Sequence, residues 1–218
     1  MALCCGASSA FASYQTITND AFYLTTNGTP VYTQGGGISK FGNTYYWYGI
    51  QYAGMATYYA HPTAANATAN TNFVAINCYS STDLVHWTFQ NKIISTSTAN
   101  FTTGVGWIGR MGSVVYNSST QQYVTWFQYT GPAGSGQACC TCSTPAGNFT
   151  LNNVQAVISN VYYNSTGDCT IFCDVAHNST PYLVFSDPHG REHLYVSSLS
   201  ANYTAINPAV LISEWPQG

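Results

Sequence analysis

The sequence predicts an all-β fold of the propeller type, and three observations carry that prediction. Charged residues make up 5% of the chain and aromatic residues 15%, a composition that supplies an apolar core and few ionic faces. Short aromatic and β-branched runs alternate with turn signals, and no stretch sustains a helical period. A unit of four such runs recurs at a spacing of about 60 residues.

In the first unit, runs at 37–41 and 44–48 flank Gly42-Asn43, two residues that tolerate positive φ and so close a hairpin. A polar loop over 53–72 leads to a third run at 73–79, and a Ser/Thr/Asp turn leads from there into the aromatic edge run ending at Phe89. The second unit has runs at 112–116, 123–127, 138–143 and 148–150; the third has them at 170–174, 182–185, 193–197 and 203–204. Four short antiparallel strands per repeat describe a blade, whose flat faces are buried only by neighbouring blades. A closed ring has roughly four to eight blades. About three fit here, so the sequence reads as the front of a longer chain or a partial copy of one.

Composition also excludes partners. Four Lys plus Arg against seven Asp plus Glu cannot build the basic face that nucleic acid requires. The apolar runs fall far short of the roughly 20 residues of a bilayer span. Residues 1–12 are small and apolar and end in Ala10-Phe11-Ala12, which reads as the remnant of a secretory leader; a plain N-terminal tail is the alternative. Asn27, Asn66, Asn100, Asn117, Asn148, Asn164, Asn178 and Asn202 each begin an Asn-x-Ser/Thr sequon, which fits a secreted glycoprotein. Cys78, Cys139, Cys140, Cys142, Cys169 and Cys173 then suggest disulfides of undetermined pairing. Cys139-Cys140-x-Cys142 lacks the spaced pairs of a structural zinc site, the five His show no metal-ligand spacing, and no cofactor is expected.

Four strings resemble glycoside hydrolase family 43, and within it the exo-β-1,3-galactanase branch. They are Gly35-Gly-Gly-Ile-Ser-Lys-Phe-Gly-Asn-Thr-Tyr-Tyr-Trp-Tyr-Gly49; Cys78-Tyr-Ser-Ser-Thr-Asp-Leu-Val-His-Trp87; Val114-Val-Tyr-Asn117 with Tyr123-Val-Thr-Trp126; and Asp168-Cys-Thr-Ile-Phe172 with Ala201-Asn-Tyr203. The resemblance covers roughly residues 25–218. It implies a five-bladed propeller of which residues 13–218 hold three blades and the start of a fourth.

Glycoside hydrolysis needs an acid for the leaving oxygen and a way to activate water opposite it. Asp20, Asp83, Asp168, Asp174, Asp187, Glu192 and Glu214 are the available carboxylates. Asp83 and Asp187 sit in turn sequences, where capping the backbone is their expected work, and Asp174 flanks a hairpin. The resemblance gives Asp168 the role of tuning and orienting the acid, with Gly167 where the family has Arg. It gives Glu214, in Ser213-Glu214-Trp215-Pro216, the role of that acid at the opening of a fourth blade. Arg110 is matched, whereas Gly109 stands where the branch has a substrate-contacting Glu. The wider family's base falls near Thr25, and Gln34 stands where the family commonly has His.

Sugar faces stack on aromatic rings, so Trp107 and Trp47 are candidate substrate platforms with Arg110 and Gln34. Trp47 and Trp126 have a competing account as packing between sheets, and Trp215 is also available. The expected function is a secreted, inverting glycosidase, monomeric at full length, acting on plant-type β-1,3-galactan or arabinogalactan side chains. A non-catalytic carbohydrate-binding protein on the same scaffold is the alternative, and a structural surface glycoprotein a third reading.

Overall fold

The computed structural model describes residues 16–18, 21–65, 69–162, 166–174, 180–187 and 192–214. The expected leader, Trp215, His177 and His189 lie outside them. Among the described residues, twelve strands form three four-stranded antiparallel sheets, with one short helix. Sheet one is β1 (Gln34–Phe41), β2 (Thr44–Tyr52), β3 (Phe73–Ser81) and β4 (Thr88–Ser95), in that order. Sheet two is β5 (Trp107–Asn117), β6 (Gln122–Gly131), β7 (Gly134–Cys142) and β8 (Thr150–Gln155). Sheet three is β9 (Cys169–Asp174), β10 (Thr180–Ser186), β11 (His193–Ser198) and β12 (Val210–Glu214). Among the described residues no helix is long and apolar enough to cross a membrane.

The three-unit repeat holds, and its local signals explain the strands. Gly42 takes a φ of +60° in the two-residue turn that pairs Phe41 with Thr44. Two expectations fail. Helix α1 (Met55–Ala60) occupies part of the loop read as irregular. The last strand of unit three lies at Val210–Glu214 rather than at 203–204, where Tyr203 sits at a φ of +65° in a turn closed by its N–H to the Ser200 carbonyl. Val210–Glu214 pairs with β11, His193 opposite Glu214, so this segment is the outer edge of sheet three and not the opening of a fourth sheet.

Period-two alternation makes sheet two the centre of the core. Met111, Val114, Phe127, Ala138 and Cys140 face one cluster with Tyr48, Ile50, Ile76 and Phe101. Their neighbours Val115, Val124, Trp126 and Cys139 face another with Leu183, Phe185 and Tyr195. Adjacent Cys139 and Cys140 therefore belong to different clusters. Of the six cysteines expected to pair, Cys78, Cys139, Cys140, Cys142 and Cys169 form no disulfide, and Cys78, Cys139, Cys140 and Cys169 are buried. Among the sequons, Asn66, Asn164 and Asn178 lie outside the described residues. Asn117 is buried, its amide donating to the Ala201 carbonyl and its oxygen accepting from the N–H groups of Ser119 and Thr120, so it works as a turn residue.

The first strands of the sheets, β1, β5 and β9, lie side by side. Glycine makes that approach possible. A Cβ on Gly37 would stand 2.8 Å from the Gly112 carbonyl oxygen, and one on Gly112 would stand 2.5 Å from the Thr170 Cα. Ser39 and Ser113 hydroxyls hydrogen-bond across the β1–β5 contact.

Two predictions follow from this packing. Gly112→Ala should destabilise the protein by about 1–3 kcal/mol through backbone overlap, read as a lower melting temperature. Gly106→Ala, whose new methyl group meets only ordinary contacts, should leave it near wild type. Burial pushes the thiols of Cys78, Cys139 and Cys169 up to about 12. Alkylation at pH 8 with peptide mapping should therefore label partly exposed Cys142 well before these three; equal labelling in the native state would contradict the packing.

Candidate functional site

The close approach of the first strands gathers side chains from β1, β5 and the position just ahead of β9 into one cleft. The first strands of sheets one and two carry the same irregularity, two residues opposite one. Gly35 and Gly36 oppose Gly49, and Gly109 and Arg110 oppose Gln128. Such bulges twist a strand and re-aim its side chains. Here they deliver Gln34 and Arg110 to one cleft of about 460 Å³, a size typical of small-molecule sites. Tyr52 from the end of β2, Gly54, Met55 and Tyr58 from the α1 segment, Asn70 and Thr71 from the loop before β3, Trp107 from β5 and Asp168 ahead of β9 complete the lining.

Two features organise the cleft. Trp107, 40% exposed, stacks on Tyr52 with ring centroids 5.9 Å apart and planes at 17°. Tyr52 in turn donates its hydroxyl to the Ile108 carbonyl at 2.6 Å. Burial pushes that hydroxyl up to about 12, the Asp168 carboxylate adding to the effect and Arg110 opposing it, so it remains a donor. In the same cleft, Arg110 Nε lies 3.5 Å from Asp168 Oδ2. The guanidinium beside Asp168 thus comes from β5, not from the residue before it in sequence. Gln34 Oε1 is buried and, among the described residues, has no hydrogen-bond partner.

Four of the six residues expected at the site, Gln34, Trp107, Arg110 and Asp168, therefore line one cleft. The other two do not. Trp47 packs edge-on against Tyr23 and Trp87, 5.4 and 5.1 Å between centroids, in a satellite aromatic cluster. Its position in mid-β2 places it between layers, whereas Tyr52 at the strand's end reaches the cleft. Glu214 stands on the outer edge strand of sheet three, with β10 and β11 between it and the β9 edge that carries Asp168. Three strand spacings correspond to about 14 Å. Its Oε1 is 3.6 Å from His193 Nε2 instead. His193 Nδ1 meets Asp187 Oδ2 at 2.5 Å, and this bond from a fully buried carboxylate pushes the imidazole above its ordinary value.

Thr25 bonds Thr29 and Asn27 within its own turn and lies outside the cleft. Asp83 does cap its turn as expected: the backbone N–H and the side chain of His86, then the Val85 N–H, hold its carboxyl well below the usual carboxylate range. Among the described residues no group of three or more His, Cys, Asp or Glu is placed to hold a metal ion. Tyr52, Met55, Tyr58, Asn70 and Thr71 escaped the sequence reading. The available signal was a 20-residue polar connection carrying Met-Ala-Thr-Tyr-Tyr, longer than a turn requires.

No family model matches the chain, and no curated protein does. Solved structures do match. An exo-β-1,3-galactanase from Phanerochaete chrysosporium with galactose aligns at a TM-score of 0.71 and 25% identity over 91% of this chain and 42% of the other. A variant of the same enzyme with β-1,3-galactotriose aligns at 0.69 and 26%, over 89% and 41%. An exo-β-1,3-galactanase from Clostridium thermocellum aligns at 0.67 and 24%, over 88% and 40%. The chain thus spans about 40% of the length of these structures. Further family-43 β-1,3-galactosidases align at 19% identity, likeness in fold alone. The three sheets reproduce about 90% of this chain's length in the fold of the family-43 galactanases and galactosidases, as the sequence resemblance implied.

Proposed function

We propose that the protein is a glycoside hydrolase acting on β-1,3-linked galactosyl chains, with the cleft between β1, β5 and β9 holding the terminal sugar. The observation that carries this reading is that an aromatic stack, Trp107 on Tyr52, and the Arg110–Asp168 pair line one cleft of sugar size. Trp107 offers a ring for the apolar face of galactose. Gln34 also lines the cleft, with its Oε1 enclosed by protein. Asp168 is the carboxylate at the sugar, and Arg110 fixes its orientation. The neighbours solved with galactose and β-1,3-galactotriose support the substrate class.

The finer reading treats the sheets as blades of a five-bladed propeller and the reaction as inverting, in a secreted glycoprotein cleaving plant-type β-1,3-galactan or arabinogalactan side chains. Asn27, Asn100, Asn148 and Asn202 are the exposed described sequons that would carry glycans in that setting.

Binding without cleavage is the second reading, and one observation favours it. Among the described residues lining the cleft, Asp168 is the one carboxylate, and hydrolysis uses two such groups. The two readings separate in one experiment. With β-1,3-galactobiose, the hydrolase releases galactose, and Asp168→Asn lowers kcat by about 100-fold or more while calorimetric affinity for galactose stays within a few-fold. Galactose binding by the wild-type protein with no product over days would establish the binder, and neither binding nor turnover would remove both.

A further inference from the structure

The bulge at Gly109–Arg110 is opposed by a residue with a long polar side chain, whereas the matching bulge in sheet one is opposed by Gly49. That residue, Gln128, is not on the cleft surface, yet it touches both things that organise the cleft. Its Oε1 accepts the Trp107 indole N–H at 3.0 Å, and its Nε2 donates to the Thr166 carbonyl at 2.8 Å, two residues ahead of Asp168. The orientation of the amide is fixed by its partners: an indole N–H can only donate and a carbonyl can only accept. One side chain therefore spans from the aromatic wall to the segment that carries the carboxylate.

Gly109 is the clearance for this arrangement. A Cβ there would stand 2.8 Å from the Gln128 Cβ and 2.9 Å from the Trp107 Nε1, and it would also overlap the Gln128 Oε1. The absence of a side chain at 109 and the presence of one at 128 are thus a single local solution. The Thr166 segment has a second anchor, Gln137, whose Nε2 reaches the Thr166 hydroxyl at 2.7 Å and the Gly167 carbonyl at 3.3 Å. Trp107 has a second anchor too, its stack on Tyr52. Neither of those anchors joins the two halves of the cleft.

We propose that Gln128 is a positioning residue that couples the Trp107 sugar platform to the Asp168 segment, with Gly109 providing the space for it. This rests on the cleft being the galactoside site proposed above. A platform held on its face by Tyr52 and at its edge by Gln128 is already set before ligand arrives, which removes an ordering cost from binding. The two ends of the amide have separable duties. The oxygen end governs how the sugar is held, and the nitrogen end governs how Asp168 is presented to it.

Gln128→Leu and Gln128→Glu in the full chain test this. Leucine removes both ends. Glutamate keeps an oxygen for the Trp107 N–H but places its other oxygen against the Thr166 carbonyl. In uniformly 15N-labelled, ligand-free protein, the Trp107 indole N–H resonance, assigned by its loss in Trp107→Phe, is expected to shift in Gln128→Leu and to stay near its wild-type position in Gln128→Glu. With β-1,3-galactobiose, Gln128→Leu should raise KM by up to about tenfold and lower kcat. Gln128→Glu should lower kcat with KM within about twofold.

An indole resonance unmoved by Gln128→Leu overturns the proposal, as does an equal kinetic loss in both variants. A wild-type protein that neither binds nor cleaves galactosides refutes the proposed function alone, since the indole shift still decides the coupling. Should Gln128→Leu fail to fold, the KM-against-kcat split of Gln128→Glu decides.

Discussion

The close contact of three glycine-lined first strands is the constraint on which the site depends. Gln34, Arg110 and Asp168 are far apart in sequence and come from β1, β5 and the position just ahead of β9. They meet because Gly37 and Gly112 let the backbones of β1, β5 and β9 approach closely enough that a single methyl group would overlap a neighbouring strand. The sheet faces are filled largely by side chains of the later strands, and sheet two, lined on both faces by alternating residues, is what each neighbour packs against. Site and core are thus consequences of one geometry, in which neighbouring sheets meet most closely at their first strands.

Much of this was legible in the sequence, because the signals involved are local. Gly42-Asn43 specified a hairpin, the Ser81–Asp83 turn specified its own capping bonds, and the repeat of four short runs specified the three sheets. Arg110, Gln34 and Asp168 were found through the family resemblance, which matches them near the openings of the units, and Trp107 as the aromatic residue beside one of those openings. What escaped depends on contacts between distant segments. Trp47 and Trp107 are both tryptophans near strand runs, and only the packing of Tyr23 and Trp87 against one and Tyr52 against the other separates a filler from a platform. Tyr203-Thr204 looked like a strand because aromatic and β-branched residues favour one, but the left-handed backbone at Tyr203 makes it a corner.

Gly109 shows how a substitution reads differently alone and in context. By itself, a glycine where the family resemblance implies a carboxylate suggests something missing. In the structure the adjoining volume is occupied by Gln128, which bonds on both sides. The position is therefore not an empty place awaiting an acid. Introducing a carboxylate at 109 would displace the Gln128 amide and the Trp107 indole together, so the residue cannot be restored without rebuilding the wall beside it.

The placement of Glu214 bears on the same question from the other side. Its strand is held to β11 by the register that sets it opposite His193, and His193 is itself anchored by buried Asp187. For Glu214 to act on a sugar beside Asp168, the end of β12 would have to leave that edge and cross the width of two strands, giving up the His193 contact on the way. An exposed edge strand with Val210, Leu211 and Ile212 all open to solvent has few side-chain contacts to lose in such a move, but the backbone ladder to β11 opposes it. Asp168 carries no such difficulty: its pairing with Arg110 and the two glutamines that hold the preceding turn keep it at the cleft whatever the outer strand does. For either proposed reading, the part of the cleft that holds Gln34, Trp107, Arg110 and Asp168 is built at the starts of β1, β5 and β9 and does not wait on the outer edge.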